Sequence, residues 1–246
     1  LHSFPTRRSS DLHIEILAQL RVRTGHDFTK YKRSTVLRRI ARRMQVTRTD
    51  DFKKYHEVLR ENLEEAQALL SDLLISVTTF FRDAESFEQL QRSVIPRLFA
   101  KSTEGESIRV WVAGCATGEE AYSLAMLLLE EAPKHDLRPA IQVFGSDLDT
   151  RALTIAREGR YPAAIESDVT EERLRRFFTR ESETYRVRQE LRDIVLFAAH
   201  DLVKDPPFSH VNLITCRNLL IYLDRELQEQ VCATFHYLYG DRKSVV

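Results

Sequence analysis

The chain has 246 residues, 43% of them apolar and 30% charged, and its 37 basic and 37 acidic side chains cancel. That length holds one large domain or a small and a larger one, and a zero net charge excludes a global field drawing the chain to nucleic acid or membrane. No apolar run approaches the ~18 residues that span a bilayer, and the three cysteines lack metal-ligand spacing, which predicts free thiols in a reducing cytoplasm and no metal.

The two ends, residues 1–12 and 241–246, resemble translated adapter DNA without helical or strand periodicity, and are set aside as tails. From Ile14 the pattern is helical. Ile14, Leu17, Leu20 and Val22 predict a short amphipathic helix stopped by Gly25. Val36, Leu37, Ile40 and Met44 share one face of a second helix over 33–46, whose other face carries Arg33, Arg38, Arg39, Arg42 and Arg43. Asp50 is expected to cap a third helix bearing Phe52, Tyr55, Val58 and Leu59, and a fourth covers 63–74. Residues 13–88 therefore read as an all-helical domain.

A further helix over 85–101 leads to a polar stretch, after which apolar strands alternate with helices. Strands are predicted at 108–113, 141–146, 194–199 and 212–215, and helices at 119–131 and 151–158. That alternation means a parallel sheet with crossover helices, an α/β domain over 89–240. Residues 184–187 and 194–199 flank a charged turn and read as an inserted antiparallel hairpin, at about 180–200.

Ligands of open parallel sheets bind at the carboxyl ends of the strands. The first strand runs into Gly114-Cys-Ala-Thr-Gly-Glu-Glu120, a tight glycine turn ending in acids. It lacks the GxGxxG of dinucleotide binding, and a carboxylate pair beside a helix start repels pyrophosphate but suits a cationic ligand. Asp147 ends the second strand, where an acid can accept both hydroxyls of a ribose. Together these features favour an adenosyl cation over a dinucleotide. Asn218 and Tyr222, after the fourth strand, read equally as a helix cap and a core aromatic.

Four ordered segments resemble the CheR-type chemoreceptor glutamate methyltransferases: Leu73-Leu-Ile-Ser-Val-Thr-Thr-Phe-Phe-Arg-Asp83, Ala116-Thr-Gly-Glu-Glu-Ala-Tyr-Ser123, Gly145-Ser-Asp-Leu-Asp149 and Cys216-Arg-Asn-Leu-Leu-Ile-Tyr222. The resemblance runs from about Ile14 to Tyr239 and is strongest to versions fused to a methylesterase and sensor domains, which implies a larger protein and a sheet whose last strands are missing here. It implies S-adenosylmethionine (SAM) as cofactor and methyl-ester formation on glutamates of methyl-accepting chemoreceptor helices in the cytoplasm, by a chain that is monomeric when intact. Nucleic acid and membrane insertion are not implied, and no aromatic residues interleave with the helix arginines as stacking platforms would. A SAM-sensing or receptor-binding module without catalysis is the alternative.

By the same resemblance Arg82 and Tyr222 lie at the methyl-transfer centre, and Ser76, Thr78 and Arg82 reach the cofactor. Gly114 and Glu120 belong to the cofactor loop, Asp147 binds ribose, Asp201 and Leu202 contact adenine, and Arg217 and Asn218 close the fourth strand end. The basic helix, with Arg38, Arg39, Arg42 and Arg43, reads the acidic receptor. Ser76 and Asp201 stand where the family often has Asn. An ionised Asp has no donor for a ring nitrogen, so somewhat weaker cofactor binding is expected.

Overall fold

The computed structural model describes residues 7–239. They divide into two compact units, residues 7–75 with 218–229, and residues 76–217 with 230–239. Among the described residues no helix is long and apolar enough to cross a membrane.

The first unit is built on α1 (Arg7–Thr24), α2 (Arg33–Val46), α3 (Phe52–Glu61) and α4 (Leu63–Leu73). Helix α1 begins inside the segment expected to be a tail; residues 1–6 and 240–246 lie outside the described residues. Asp51, not Asp50, caps α3, its side chain accepting from Lys54 N, because Asp51 is the residue left extended before the first helical turn. Asn62 ends α3 and caps α4 through Glu64 N and Glu65 N. Ile16, Leu20, Phe28, Ile40, Leu59 and Leu69 are central to the core.

Residues 218–229 join this unit, although the sequence places them in the α/β domain. Backbone hydrogen bonds account for it: Lys32 N donates to the Tyr222 carbonyl (2.8 Å) and Asp224 N to that of Lys30 (2.9 Å). Lys30 also pairs with Glu226. The boundary expected near residue 88 falls instead after Ile75, because Phe80, Phe87 and Leu90 pack in the core of the second unit.

The second unit opens with α5 (Ala84–Gln89), a π-helical turn over Leu90–Val94 and α6 (Ile95–Ala100). Then follow β1 (Ser107–Ala113), α7 (Glu119–Glu131), β2 (Ala140–Asp147), α8 (Thr150–Glu158), β3 (Arg160–Pro162), α9 (Glu171–Phe177), β4 (Phe178–Glu181), β5 (Thr184–Val187), α10 (Gln189–Arg192), β6 (Val195–Ala199) and β7 (Leu213–Thr215). Helix α11 (Arg225–Tyr239) is divided between the units after Glu229. The main sheet is parallel with order β6-β2-β1-β7. Strand β7 is buried throughout and β1 nearly so, whereas β2 alternates buried and exposed residues over its first half and the edge strand β6 opens to solvent.

The expected hairpin is corrected in its pairing. Strand β6 joins the parallel sheet beside β2, and β5 pairs antiparallel with β4 and β3 in a separate three-stranded sheet. The four-residue α10 between β5 and β6 gives the chain room to leave one sheet for the other. Strand β7 lies at the edge of the four-stranded sheet, paired on one side with β1, and its side chains Leu213 and Ile214 are buried, as is Val211 before it.

A cluster of rings covers part of one face of the sheet, where Trp111 and Phe144 are neighbours in register. Trp111 meets His200, Phe208 and Phe235 edge-on, and Phe208 stacks on Phe144 and His200. Trp111 Nε1 donates to Ser146 Oγ (2.8 Å), satisfying the one polar atom of a buried indole.

Candidate cofactor site

The carboxyl ends of β1 and β2 meet through the backbone. Gly114 N and Cys115 N both donate to the Ser146 carbonyl, at 2.8 and 2.9 Å. This ties the glycine turn to the β2 end, and Gly114 takes the left-handed φ of +74° that the tight reversal requires. Asp147 is held by two further amides, Oδ2 accepting from Ala116 N (2.8 Å) and Oδ1 from Asp149 N (2.9 Å). Each oxygen retains lone-pair capacity, so the carboxylate can still accept from a pair of hydroxyls. Burial pushes its pKa up, against the opposing pull of these amide hydrogen bonds.

Glu120, in the first turn of α7, accepts from Thr215 Oγ1 through Oε1 (2.7 Å). Its pKa is raised, chiefly by burial, with Arg217 and Arg82 pulling it back. Arg217 Nη1 lies 4.0 Å from Glu120 Oε2 and is a buried atom with no hydrogen-bond partner. Its Nη2 donates to the Arg82 carbonyl and to Asp83 Oδ2, both at 2.7 Å, and the guanidinium lies over the Phe87 ring. Neighbouring Glu119 is also raised by burial, and Thr117 Oγ1 donates to it (2.6 Å).

The motif before α5 supplies the rest. Ser76 Oγ donates to Asp149 Oδ2 (2.9 Å); Asp149 also caps α8 through Arg151 N and Ala152 N. Thr78 is half-buried. The Arg82 guanidinium donates to the Val77 carbonyl (3.0 Å), so the segment curls back on itself.

Beyond β6, Asp201 Oδ1 accepts from Val203 N (2.9 Å), Asp201 N donates to Asp205 Oδ2 (2.7 Å), and Lys204 sits 3.5 Å from Asp201 Oδ2. Leu202 is half-buried beside it. Ser76, Thr78, Arg82, Gly114, Glu120, Asp147, Asp201, Leu202 and Arg217 thus belong to one unit. Asn218, with φ +58°, and Tyr222, whose carbonyl serves Lys32, belong to the first unit.

A cationic, hydroxyl-bearing cofactor fits this donor set. Two largely buried carboxyls flank the glycine turn; Asp147 is held by backbone amides, and Glu120 lies 4.0 Å from a buried guanidinium nitrogen of Arg217 that has no hydrogen-bond partner. Asp149 and Ser123 stand in the sequence only as the last residues of two motif segments, with no role of their own assigned there. Asp149 had a signal, as an acid directly before a helix start; Ser123, inside an apolar helix, had none.

Of the five arginines of α2, the four expected to read the receptor are not equivalent. Arg38 and Arg42 are exposed, Arg42 lying 3.8 Å from Asp72. Arg39 is half-buried, its Nε without a hydrogen-bond partner. Arg43 turns inward: Nε and Nη2 grip Glu65 (2.9 and 2.5 Å), and Tyr55 donates to the same carboxylate (2.8 Å). Arg43 and Tyr55 are both raised in pKa, Arg43 by its hydrogen bond to Glu65 and Tyr55 by burial.

Comparison with known proteins gives the following. The all-alpha domain of CheR methyltransferase matches residues 14–74, and the SAM binding domain of CheR methyltransferase matches residues 76–243. An uncharacterized 104.1 kDa protein of the hypE 3' region of Rhodobacter capsulatus is 42% identical over 211 residues, 86% of this chain and 22% of that protein. The chemotaxis protein methyltransferase of Escherichia coli K12 is 35% identical, over 92% of this chain and 79% of its own. The putative methyltransferase Cher3 of Pseudomonas putida is 31% identical, over 94% and 85%. The chain therefore spans about a fifth of the first relative and about four fifths of the other two.

Proposed function

This chain belongs to the CheR family of SAM-dependent methyltransferases, and from that membership we propose that it esterifies glutamate side chains on the helices of bacterial chemoreceptors. The observation that carries the reading is the pair of buried carboxyls, Glu120 and Asp147, at the glycine turn between adjacent parallel strands. When bound, SAM supplies a methyl group on a positively charged sulfur, which a carboxylate can accept without a covalent intermediate on the protein.

Glu120 would hold the ammonium of the methionine moiety and Asp147 would accept from the ribose hydroxyls, its two amide hydrogen bonds fixing the direction of its free lone pairs. Asp201 and Leu202 would border the adenine. Arg82 directs the incoming glutamate by charge-assisted hydrogen bonds, and the resemblance gives Tyr222 the channel through which the methyl passes. The glutamate needs no general base, because a carboxyl of ordinary pKa is ionised at neutral pH. What remains for the protein is alignment, which contributes up to ~7–11 kcal/mol to a two-body reaction. The exposed Arg38 and Arg42 offer charge to an acidic receptor helix, and Arg43 serves its own domain.

The test is methyl transfer from labelled SAM to membranes carrying Escherichia coli chemoreceptors. Ester formation on glutamate releases labelled methanol in base. SAM binding without transfer supports a sensing or receptor-binding module, and base-stable label means a different acceptor.

A further inference from the structure

We propose that Ser123 and the Asp83–Arg217 pair are positioning residues that hold Arg82 in its working place, a reading that rests on the role given to Arg82 above. Arg82 sits between two residues in left-handed backbone conformations, Phe81 at φ +48° and Asp83 at φ +58°. Neither is a glycine, and such residues persist only where their surroundings over-determine them. Surroundings of that kind are present on both sides of Arg82.

On one side, Phe81 N donates to Ser123 Oγ (3.1 Å), and that hydroxyl spends its own proton on the Glu119 carbonyl (2.7 Å). Ser123 is fully buried on α7, so its direction is fixed by the helix that also carries Glu120. On the other side, Arg217 Nη2 takes the Arg82 carbonyl and the Asp83 carboxylate together. Its other terminal nitrogen points to Glu120. The turn is therefore gripped at consecutive residues by groups fixed to α7 and to the end of β7. These are the two elements that place the proposed ammonium site, so the arginine that orients the acceptor and the acid that holds the donor share one frame.

The claim is tested by a double-mutant cycle on methyl transfer to chemoreceptor membranes, with SAM affinity measured by calorimetry. Ser123→Ala leaves Phe81 N–H unpaired and should lower kcat about 10-fold, since a misplacement near 1 Å can cost up to 100-fold, with the SAM Kd within about 2-fold. In an Arg82→Ala background the same substitution should cost nothing further. Asp83 is exposed, so Asp83→Ala gives an arm that leaves the core untouched: it should lower kcat, and Asp83→Asn, which keeps an acceptor for Arg217, should restore most of it. Losses that multiply in the Arg82→Ala background, or an Asp83→Asn as slow as Asp83→Ala, overturn the positioning role. An Arg82→Ala chain at wild-type kcat overturns instead the role of Arg82 itself.

Discussion

At the scale of single residues, the same side-chain type does opposite jobs a turn apart. Arg43 is 16% exposed and its partner Glu65 only 6%. Removing one member of a buried pair leaves a charge without compensation, at ~3–5 kcal/mol, and Arg43→Ala should cost about 3 kcal/mol, the low end, because solvent still reaches the guanidinium. Arg38→Ala should stay within about 0.5 kcal/mol, as exposed positions do. Urea denaturation of the two variants checks the contrast, and equal midpoints would remove the Arg43–Glu65–Tyr55 group from the unit's stability. The helical wheel could not separate these arginines, because Glu65 lies 22 residues downstream. Asp147 is the second case. Asp147→Ala withdraws an acceptor from two cofactor hydroxyls, and SAM affinity should fall by ~1–3 kcal/mol. Calorimetry showing unchanged affinity would strike Asp147 from the site.

Among elements, helices α2 and α7 stand where the sequence puts them, because apolar spacing and end residues act within one turn. The β-structure was legible only in part. Strand β5 announces itself by alternation and β6 as a short apolar run, yet nothing local names their partners, and β3 has only three residues. Of the site, the glycine turn and its acids were visible as a spacing, whereas the grip on Arg82 joins residues up to 135 positions apart. Packing at Gly145 was equally hidden: a Cβ there would lie 2.7 Å from two ring carbons of Phe197 and 3.2 Å from Cys115 Sγ. Gly145→Ala should therefore push the Phe197 ring off β2 and cost ~1–3 kcal/mol, the usual penalty of overpacking. A variant as stable as the parent in thermal melts would mean the ring yields freely. Edge protection is also visible at this scale. The Ile194 carbonyl serves β2 at Val143 N, so strand alternation turns the Phe197 carbonyl outward, where Arg157 Nη2 caps it at 3.0 Å.

For the whole molecule, acids and bases cancel in sum but not in place. Burial raises Glu119, Glu120 and Asp147 above the ordinary carboxylate range near 4. An acid raised by folding lends stability that is complete below its unfolded pKa and is lost as pH rises through its folded value. The cofactor-free chain should thus lose stability upward from about pH 4, while affinity for cationic SAM, which needs the ionised acids, should grow over the same window. Melts and calorimetry across that window check the opposed slopes, and parallel slopes would mean other groups dominate. Charge reversal at Arg38 and Arg42 should weaken receptor binding, more so at low salt where screening is long-ranged, and leave SAM affinity unchanged. Loss of both would make α2 structural.

The ring cluster has a practical consequence. Trp111 is the only tryptophan in the chain, and it lies in the second unit, edge-on to His200 and Phe208 at either end of the loop carrying Asp201 and Leu202. Indole emission is therefore a built-in optical probe confined to the cofactor-binding half. Its spectrum follows the unfolding of that half alone, while far-ultraviolet dichroism, dominated by helices from both units, follows the whole chain; divergence of the two melting curves would time the units separately without any label.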